Sequence, residues 1–174
     1  PKIAENEKSL RVIADHMRSA VFILGDNKGV SPSNSDQGYI LRRFIRRSIT
    51  HAKKHDLNNF CVELSKVIIN TYKDQWPELE ENMDFVLKQM KKEEEKFNNT
   101  LSRGMRKFNR MAKKGDLSGK DAFLLFQSFG FPLELTVELA QERGIEVDKE
   151  GFQKAYKKHQ EKSRKGAKKR FKGG

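Results

Sequence analysis

The sequence predicts an all-α protein: an elongated multi-helix domain with one long central helix and a basic C-terminal helix. Apolar residues recur with a helical period along most of the 174 residues, and no segment shows the period-2 alternation of a strand. Only four prolines are present, so long helices are possible. Charged residues make up 34% and hydrophobic residues 36% of the chain, which suits an extended helical body better than a sandwich or barrel.

Four helices account for the first two thirds of the chain. The first is predicted at about residues 8–24, where the apolar positions share one main face. Turn-forming residues dominate residues 25–38, which are therefore predicted to form a loop. Further helices are expected at about residues 37–55 and 58–72.

The fourth helix is the longest and is expected at about residues 78–111, after the Trp76-Pro77 pair. Its apolar residues fall on a seven-residue repeat that Glu94 and Gly104 interrupt. We expect this stripe to pack against neighbouring helices rather than to form a dimeric coiled coil. The repeat consists of Met83, Leu87, Met90, Phe97, Leu101, Phe108 and Met111.

Local stop and start signals divide the last third. Residues 113–117 form a turn, and Ser118 with Asp121 resembles a capping box that begins a short helix. That helix is predicted to stop at Gly130, and Pro132 can begin the next one.

The final helix is expected to begin after Asp148, a suitable N-cap, and to fray into residues 166–174. We therefore predict one helical domain over residues 1–162, which could divide into lobes at about 1–112 and 113–162. Residues 163–174 would form a basic linker, because they contain almost nothing to bury.

The net charge of +12 indicates a polyanionic partner. Residues 37–55 contain six basic residues and no acidic one, and residues 149–174 contain eleven basic and two acidic residues. No apolar run approaches the ~20 residues of a membrane span, and the N-terminus does not resemble a signal peptide. We therefore expect no membrane partner. Cys61 is the only cysteine, which excludes an internal disulfide and fits a cytoplasmic protein.

The second predicted helix has one apolar side and one basic side at 100° per residue. The apolar side is expected to dock on the body of the protein, and the basic side to bind phosphate groups through guanidinium forks. The alternative is a solvated face with local salt bridges, which the absence of acids in this helix weakens. The predicted phosphate-binding residues are Arg42, Arg43, Arg46, Arg47, Lys53 and Lys54.

The sequence lacks the motifs expected of a nucleotide-binding or catalytic site. There is no GxxxxGK[ST] and no GxGxxG, and no combination of Ser, Cys or carboxylate residues suggests a catalytic site. His51 and His55 have i, i+4 spacing, but no further ligands cluster near them, so we expect a surface pair rather than a metal site. The chain is thus predicted to be a binding module without catalytic residues.

Three blocks together resemble bacterial alanyl-tRNA synthetases, in the order and spacing found after the catalytic core of that family. They are RVIADHMRSAVFIL at residues 11–24, SPSNSDQGYILRRFIRR at residues 31–47, and DAFLLFQSFGFPLELTVELAQERGIEVDKEGF at residues 121–152. The resemblance implies a helical segment that grips the acceptor stem of tRNA(Ala) and reads a G·U wobble at its third base pair.

The resemblance also implies which residues read the wobble pair. Asn34 matches the family's asparagine, and Gln127 stands where the family has an aspartate. An amide on a turn-rich loop can approach the shallow minor groove, where the guanine amino group projects. Gln127 can accept a hydrogen bond from that group but lacks the charge of aspartate. Arg11, Asp15 and Arg18 of the first block are further candidate contacts.

The ligase activity, by this resemblance, belongs to the parent enzyme, a class II aminoacyl-tRNA synthetase. Its signatures for ATP and alanine are absent here, so ATP, Mg and the zinc of the editing site are expected only elsewhere in the parent. The partners are then tRNA(Ala) and the parent's catalytic and editing domains. The main alternative is a non-specific basic RNA-binding module whose affinity comes from the C-terminal lysines. A helical scaffold for an acidic protein has no support beyond charge.

Overall fold

The computed structural model describes the backbone of residues 2–171 and the side chains of residues 7–161. Within these residues the chain forms eight helices and no strand, which confirms the predicted all-α class. The helices are α1 (Lys2–Gly25), α2 (Asp36–Lys53), α3 (Cys61–Tyr72), α4 (Glu78–Glu81), α5 (Met83–Ala112), α6 (Gly119–Phe129), α7 (Leu133–Gln141) and α8 (Lys149–Phe171).

The chain divides into two compact units, Pro1–Asn99 and Thr100–Gly174. Their boundary lies inside α5, whereas the lobes expected from the sequence meet further along the chain, at about residue 112. A boundary inside a helix leaves no turn or composition change to mark it, so the sequence offers no local signal for it.

In the first unit, α1 packs against α2, α3 and α4. The central residues of the apolar faces of α1 and α2 are buried, as Met17 and Val21 on α1 and Leu41 and Ile45 on α2 illustrate, whereas Leu10 of α1 is 52% exposed. Each such buried side chain stabilises the fold by about 1.5–3 kcal/mol relative to exposure. This burial fixes α2, the helix that carries the predicted phosphate-binding residues, against the body of the unit.

The long helix predicted at residues 78–111 is instead two helices, α4 and α5, which meet at Asn82. Asn82 leaves helical geometry, with φ −97° and ψ 12°. Its side-chain amide donates to the carbonyl oxygen of Gly25 at 3.1 Å and to Oδ1 of Asn27 at 3.2 Å. The single-helix prediction was wrong because these contacts, distant in sequence, stabilise a break that local propensity does not reveal.

Glu94 interrupts the apolar repeat of α5 because it caps another helix. Its side chain is buried and accepts hydrogen bonds from the backbone N–H of Phe60 at 3.0 Å and of Cys61 at 3.3 Å. These donors lie at the start of α3, where N–H groups lack partners within the helix. Burial, reinforced by the charge of Glu94, raises the pKa of the Cys61 thiol well above its usual value.

In the second unit, α6 packs against α7 and α8. The predicted capping box is present: the Ser118 side chain accepts from the Asp121 backbone, and Asp121 accepts from the Ser118 backbone. Gly130 ends α6 at φ 69°, as the sequence predicts. Gly104 of α5 is a close-contact position, because a Cβ there would lie 2.5 Å from Cε1 of Phe131.

The C-terminal helix is longer than the sequence predicts. Asp148 accepts a hydrogen bond from the Gly151 backbone N–H at 2.8 Å, as expected of an N-cap, but α8 continues through Phe171 instead of fraying from about residue 166. Lysine and arginine are good helix formers, which is compatible with this extension. The side chains of the predicted linker lie outside the described residues. Within the described part of the chain, no helix is long and apolar enough to span a membrane.

Candidate nucleic-acid interface

The loop at residues 26–35, between α1 and α2, presents Asn34 at the protein surface. Its shape depends on Gly38 at the start of α2, since a Cβ there would clash with Oγ of Ser33. The Ser33 backbone N–H donates to the Gly38 carbonyl oxygen at 3.0 Å, and Ser33 Oγ donates to the Ser35 carbonyl oxygen at 2.8 Å. The loop is therefore folded back onto the first turn of α2.

Arg42 of α2 holds this loop through its guanidinium group. One terminal nitrogen donates to Oδ1 of Asn34, and the other donates to the Pro32 carbonyl oxygen at 3.2 Å. Because arginine has only donors, the oxygen end of the Asn34 amide must face α2. The orientation of this exposed amide is thus defined by a residue beneath it.

Arg42 and Arg46 were predicted to lie on an exposed basic face, and this placement is wrong. Their exposed fractions are 9% and 3%, and both guanidinium groups contact Glu93 of α5, which is 4% exposed. Oε1 of Glu93 accepts from Nε of Arg42 at 3.1 Å and from Nε of Arg46 at 2.6 Å. The prediction counted acids only within α2, whereas the neutralising acid comes from another helix. We call these three residues the Glu93 cluster.

The Glu93 cluster carries a formal charge of +1, because two arginines share one carboxylate. Desolvation lowers the pKa of Arg46, and the nearby charge of Glu93 opposes this shift. The Arg46 guanidinium also lies 4.9 Å from the ring centroid of Phe97, which adds a cation–π contact. The cluster is therefore a fixed, positively charged support beneath the 26–35 loop.

Four of the six predicted phosphate-binding residues are accessible. Lys53 and Lys54 are exposed at the end of α2, and Arg43 and Arg47 are half-buried. Nη1 of Arg47 contacts Nε2 of His16 at 3.0 Å; since arginine only donates, the imidazole must accept there. His16 thus pairs with Arg47 of α2. Lys53 donates to Oδ1 of Asn58.

The other predicted contacts to tRNA lie on exposed helix surfaces. Gln127 is exposed in the last turn of α6, in the second unit. On α1, Arg11 pairs with Glu7 at 2.6 Å, and Arg18 pairs with Asp15 at 2.8 Å. Both α1 pairs are solvent-exposed and local, so each contributes little to stability.

The basic side of α8 provides a second positive surface. Lys154, Lys157 and Lys158 are exposed within its described part. The opposite side packs through aromatic rings, with Phe126 of α6 in edge-to-face contact with Phe152 and Tyr156. This packing orients the lysines towards solvent.

Sequence reasoning missed Glu93 as the buried partner of the α2 arginines, although a signal for it exists. Met90 and Phe97 define the buried side of α5, and residue 93, three positions after Met90, must lie on the same side of a helix. A carboxylate there needs a buried cationic partner. For the part of the chain that the structure describes, no group of three or more His, Cys, Asp or Glu side chains could hold a metal ion. The predicted surface pair of His51 and His55 is wrong for His51, which is buried, with Nδ1 3.0 Å from Oγ of Ser9.

Comparison with known proteins identifies the class of protein to which the chain belongs. The profile of the family described as tRNA synthetases class II (A) matches residues 2–173, and the chain belongs to that family. The resemblance to alanyl-tRNA synthetases is confirmed by relatives named alanine–tRNA ligase. One, from Borreliella afzelii (strain PKo), is 44% identical over 174 residues, covering 98% of this chain and 29% of the relative.

Two other relatives with the same name match the chain to a similar degree. The alanine–tRNA ligase of Treponema pallidum (strain Nichols) is 43% identical over 176 residues, covering 97% of this chain and 29% of the relative. That of Bacillus anthracis is 41% identical over 167 residues, covering 92% of this chain and 19% of the relative. The chain therefore spans less than a third of the length of these relatives.

Proposed function

We propose that this chain is the tRNA-binding segment of a cytoplasmic alanine–tRNA ligase, which grips the acceptor stem of tRNA(Ala) and reads its G·U wobble pair. The observation that carries the proposal is an exposed Asn34 whose amide is oriented by Arg42, in a chain that belongs to the synthetase family. Activation of alanine, with ATP and Mg, and zinc-dependent editing are assigned to other parts of the parent enzyme.

In this proposal, base reading and phosphate binding use different residues. Asn34 and Gln127 contact the base pair, while the accessible cations of α2 contact phosphates. Those cations are Arg43, Arg47, Lys53 and Lys54. Arg42 and Arg46 are assigned to the support of the loop instead, because an arginine buried against a carboxylate cannot also reach a phosphate group.

The test is a titration of the chain with two acceptor-stem duplexes that differ only in a G·U or a G·C third pair, each at two salt concentrations. We expect tighter binding to the G·U duplex, because one good base contact discriminates by about 1–3 kcal/mol. Asn34→Ala should reduce this preference more than it reduces total binding. Equal losses on both duplexes would remove Asn34 from base reading.

Gln127 offers a gain-of-function test of the same proposal. Gln127→Asp introduces the charge that the family resemblance assigns to this position, so a hydrogen bond to the guanine amino group becomes charge-assisted. We expect the preference for the G·U duplex to increase several-fold, while binding to the G·C duplex weakens slightly by repulsion from phosphates. An unchanged preference would exclude Gln127 from the site.

The second candidate function is non-specific RNA binding by α8, which its exposed lysines favour. Truncation after Lys162 separates the two functions. If the G·U preference survives truncation while the salt slope decreases, the tail supplies only general attraction. If all binding disappears and no preference existed before truncation, the chain is a non-specific module.

A further inference from the structure

Arg42 connects three parts of the first unit through one rigid group. Its Nε donates to Glu93 of α5 at 3.1 Å, and its terminal nitrogens donate to the Pro32 carbonyl oxygen and to Oδ1 of Asn34. A guanidinium group is planar and rigid, so a hydrogen bond that fixes the position and N–H direction of Nε restricts the directions of the two terminal nitrogens. Whatever holds Nε therefore also helps to orient the Asn34 amide within the loop.

Glu93 is itself held firmly. Its carboxylate is buried, and Nε and Nη2 of Arg46 lie 2.6 and 2.5 Å from the same Oε1 atom that Arg42 contacts. The Arg46 guanidinium is in turn covered by the Phe97 ring. A carboxylate with this many fixed donors has little freedom to move, because each lost contact would leave a buried charge uncompensated.

We infer that Glu93 is a positioning residue for base reading: acting through Arg42, it holds the Asn34 amide in the orientation that reads the base pair. This inference rests on the proposed function of Asn34. By this inference, α5 takes part in selecting the wobble pair, although residue 93 need not touch RNA. Glu93 thus contributes to specificity, whereas the accessible cations contribute to affinity.

The main experiment compares Glu93→Gln with the matched variant Glu94→Gln. Both replace a buried carboxylate of the same helix with an amide of similar size, but Glu94 contacts the start of α3 and not the 26–35 loop. We expect Glu93→Gln to reduce the G·U over G·C preference about three- to tenfold, the value of one hydrogen bond. Affinity for the G·C duplex and its salt slope should be unchanged. Glu94→Gln should lower stability without changing the preference.

Comparison of the two single variants separates failure of the inference from failure of the proposed function, and the double variant tests whether both residues act through one contact. If Asn34→Ala reduces the preference and Glu93→Gln does not, at equal helix content by circular dichroism, the inference is overturned and the proposed function stands. If both reduce it, Asn34→Ala/Glu93→Gln should lose no more than Asn34→Ala alone, because the two residues act through one contact. Additive losses would show that Glu93 acts by another route.

A measurement without RNA tests the positioning directly, even if the chain shows no preference for either duplex. The side-chain amide signals of Asn34 in a ¹⁵N–¹H spectrum report its bond to Arg42. We expect Glu93→Gln to shift these signals and to accelerate hydrogen exchange of the Ser33 and Ser35 backbone amides at least threefold. Unchanged signals and exchange rates in Glu93→Gln would contradict the inference.

Discussion

Arg46 is buried and bonded to Glu93, so its replacement by methionine should destabilise the first unit rather than weaken phosphate binding. The variant removes both contacts to Oε1 of Glu93, at 2.5 and 2.6 Å, and the cation–π contact with Phe97. Breaking a buried ion pair on one side costs about 3–5 kcal/mol. Because Arg42 remains 3.1 Å from Glu93, we expect the low end, about 3 kcal/mol.

Urea unfolding followed by circular dichroism measures this loss. With a slope of about 1–3 kcal/mol per M, the midpoint should fall by roughly 1–3 M. Arg11→Met is the matched control: it also breaks an arginine–glutamate pair, but the Arg11 side chain is 76% exposed. Its effect should stay within about 0.5 kcal/mol.

Two results would refute this reasoning. If Arg46→Met unfolds at the same urea concentration as Arg11→Met, the buried cluster does not stabilise the unit. If instead Arg46→Met retains its stability but lowers the salt slope of RNA binding by about 1, Arg46 reaches phosphate groups in solution.

Further predictions test packing, ionisation and phosphate binding. Gly104→Ala should destabilise by about 1–3 kcal/mol in urea unfolding, because the new methyl group meets an aromatic ring, whereas Ser102→Ala on the same helix should change stability by less than about 0.5 kcal/mol. The raised pKa of Cys61 gives stability that is fully present below the unfolded-state pKa of about 8.5. This stability is lost, by at most ~1.4 kcal/mol per pH unit, as the pH rises through the folded-state pKa. The free energy of unfolding of Cys61→Ala, measured between about pH 7 and 10, should lack this decline. The double variant Lys53→Ala/Lys54→Ala should weaken binding to both duplexes equally and flatten the salt slope by about 2, and a changed G·U preference would contradict a pure phosphate role.

The features predicted correctly from sequence depend on residues close together in the chain. The capping box of Ser118 and Asp121 and the helix end at Gly130 require only local hydrogen bonds and one left-handed residue. A short stretch of sequence is therefore enough to predict them. Helical periodicity likewise identified the all-α class. These local signals suffice for the bounds of α6, but not for the end of α8.

The features missed depend on contacts between distant residues. Arg42 and Glu93 are separated by 51 positions, so a charge count within α2 could not reveal that two of its arginines are buried against one carboxylate. The break at Asn82 similarly depends on a contact with Gly25, 57 positions away. The role of Asn34 is a prediction from the resemblance, and the groups that orient its amide could not be predicted because they belong to the tertiary structure.

The adjacent carboxylates of α5 also restrict how the length of this chain can vary. Successive side chains of a helix point about 100° apart. Glu93 therefore binds arginines of α2, while Glu94 caps the start of α3. Inserting one residue before Lys92 would shift Lys92 into the position of Glu93, against two arginines. Deleting one would bring Glu94 and Glu95 into the two acidic positions but would replace the buried Phe97 with Asn98. Insertions and deletions are therefore expected in the segments between helices, not in this part of α5.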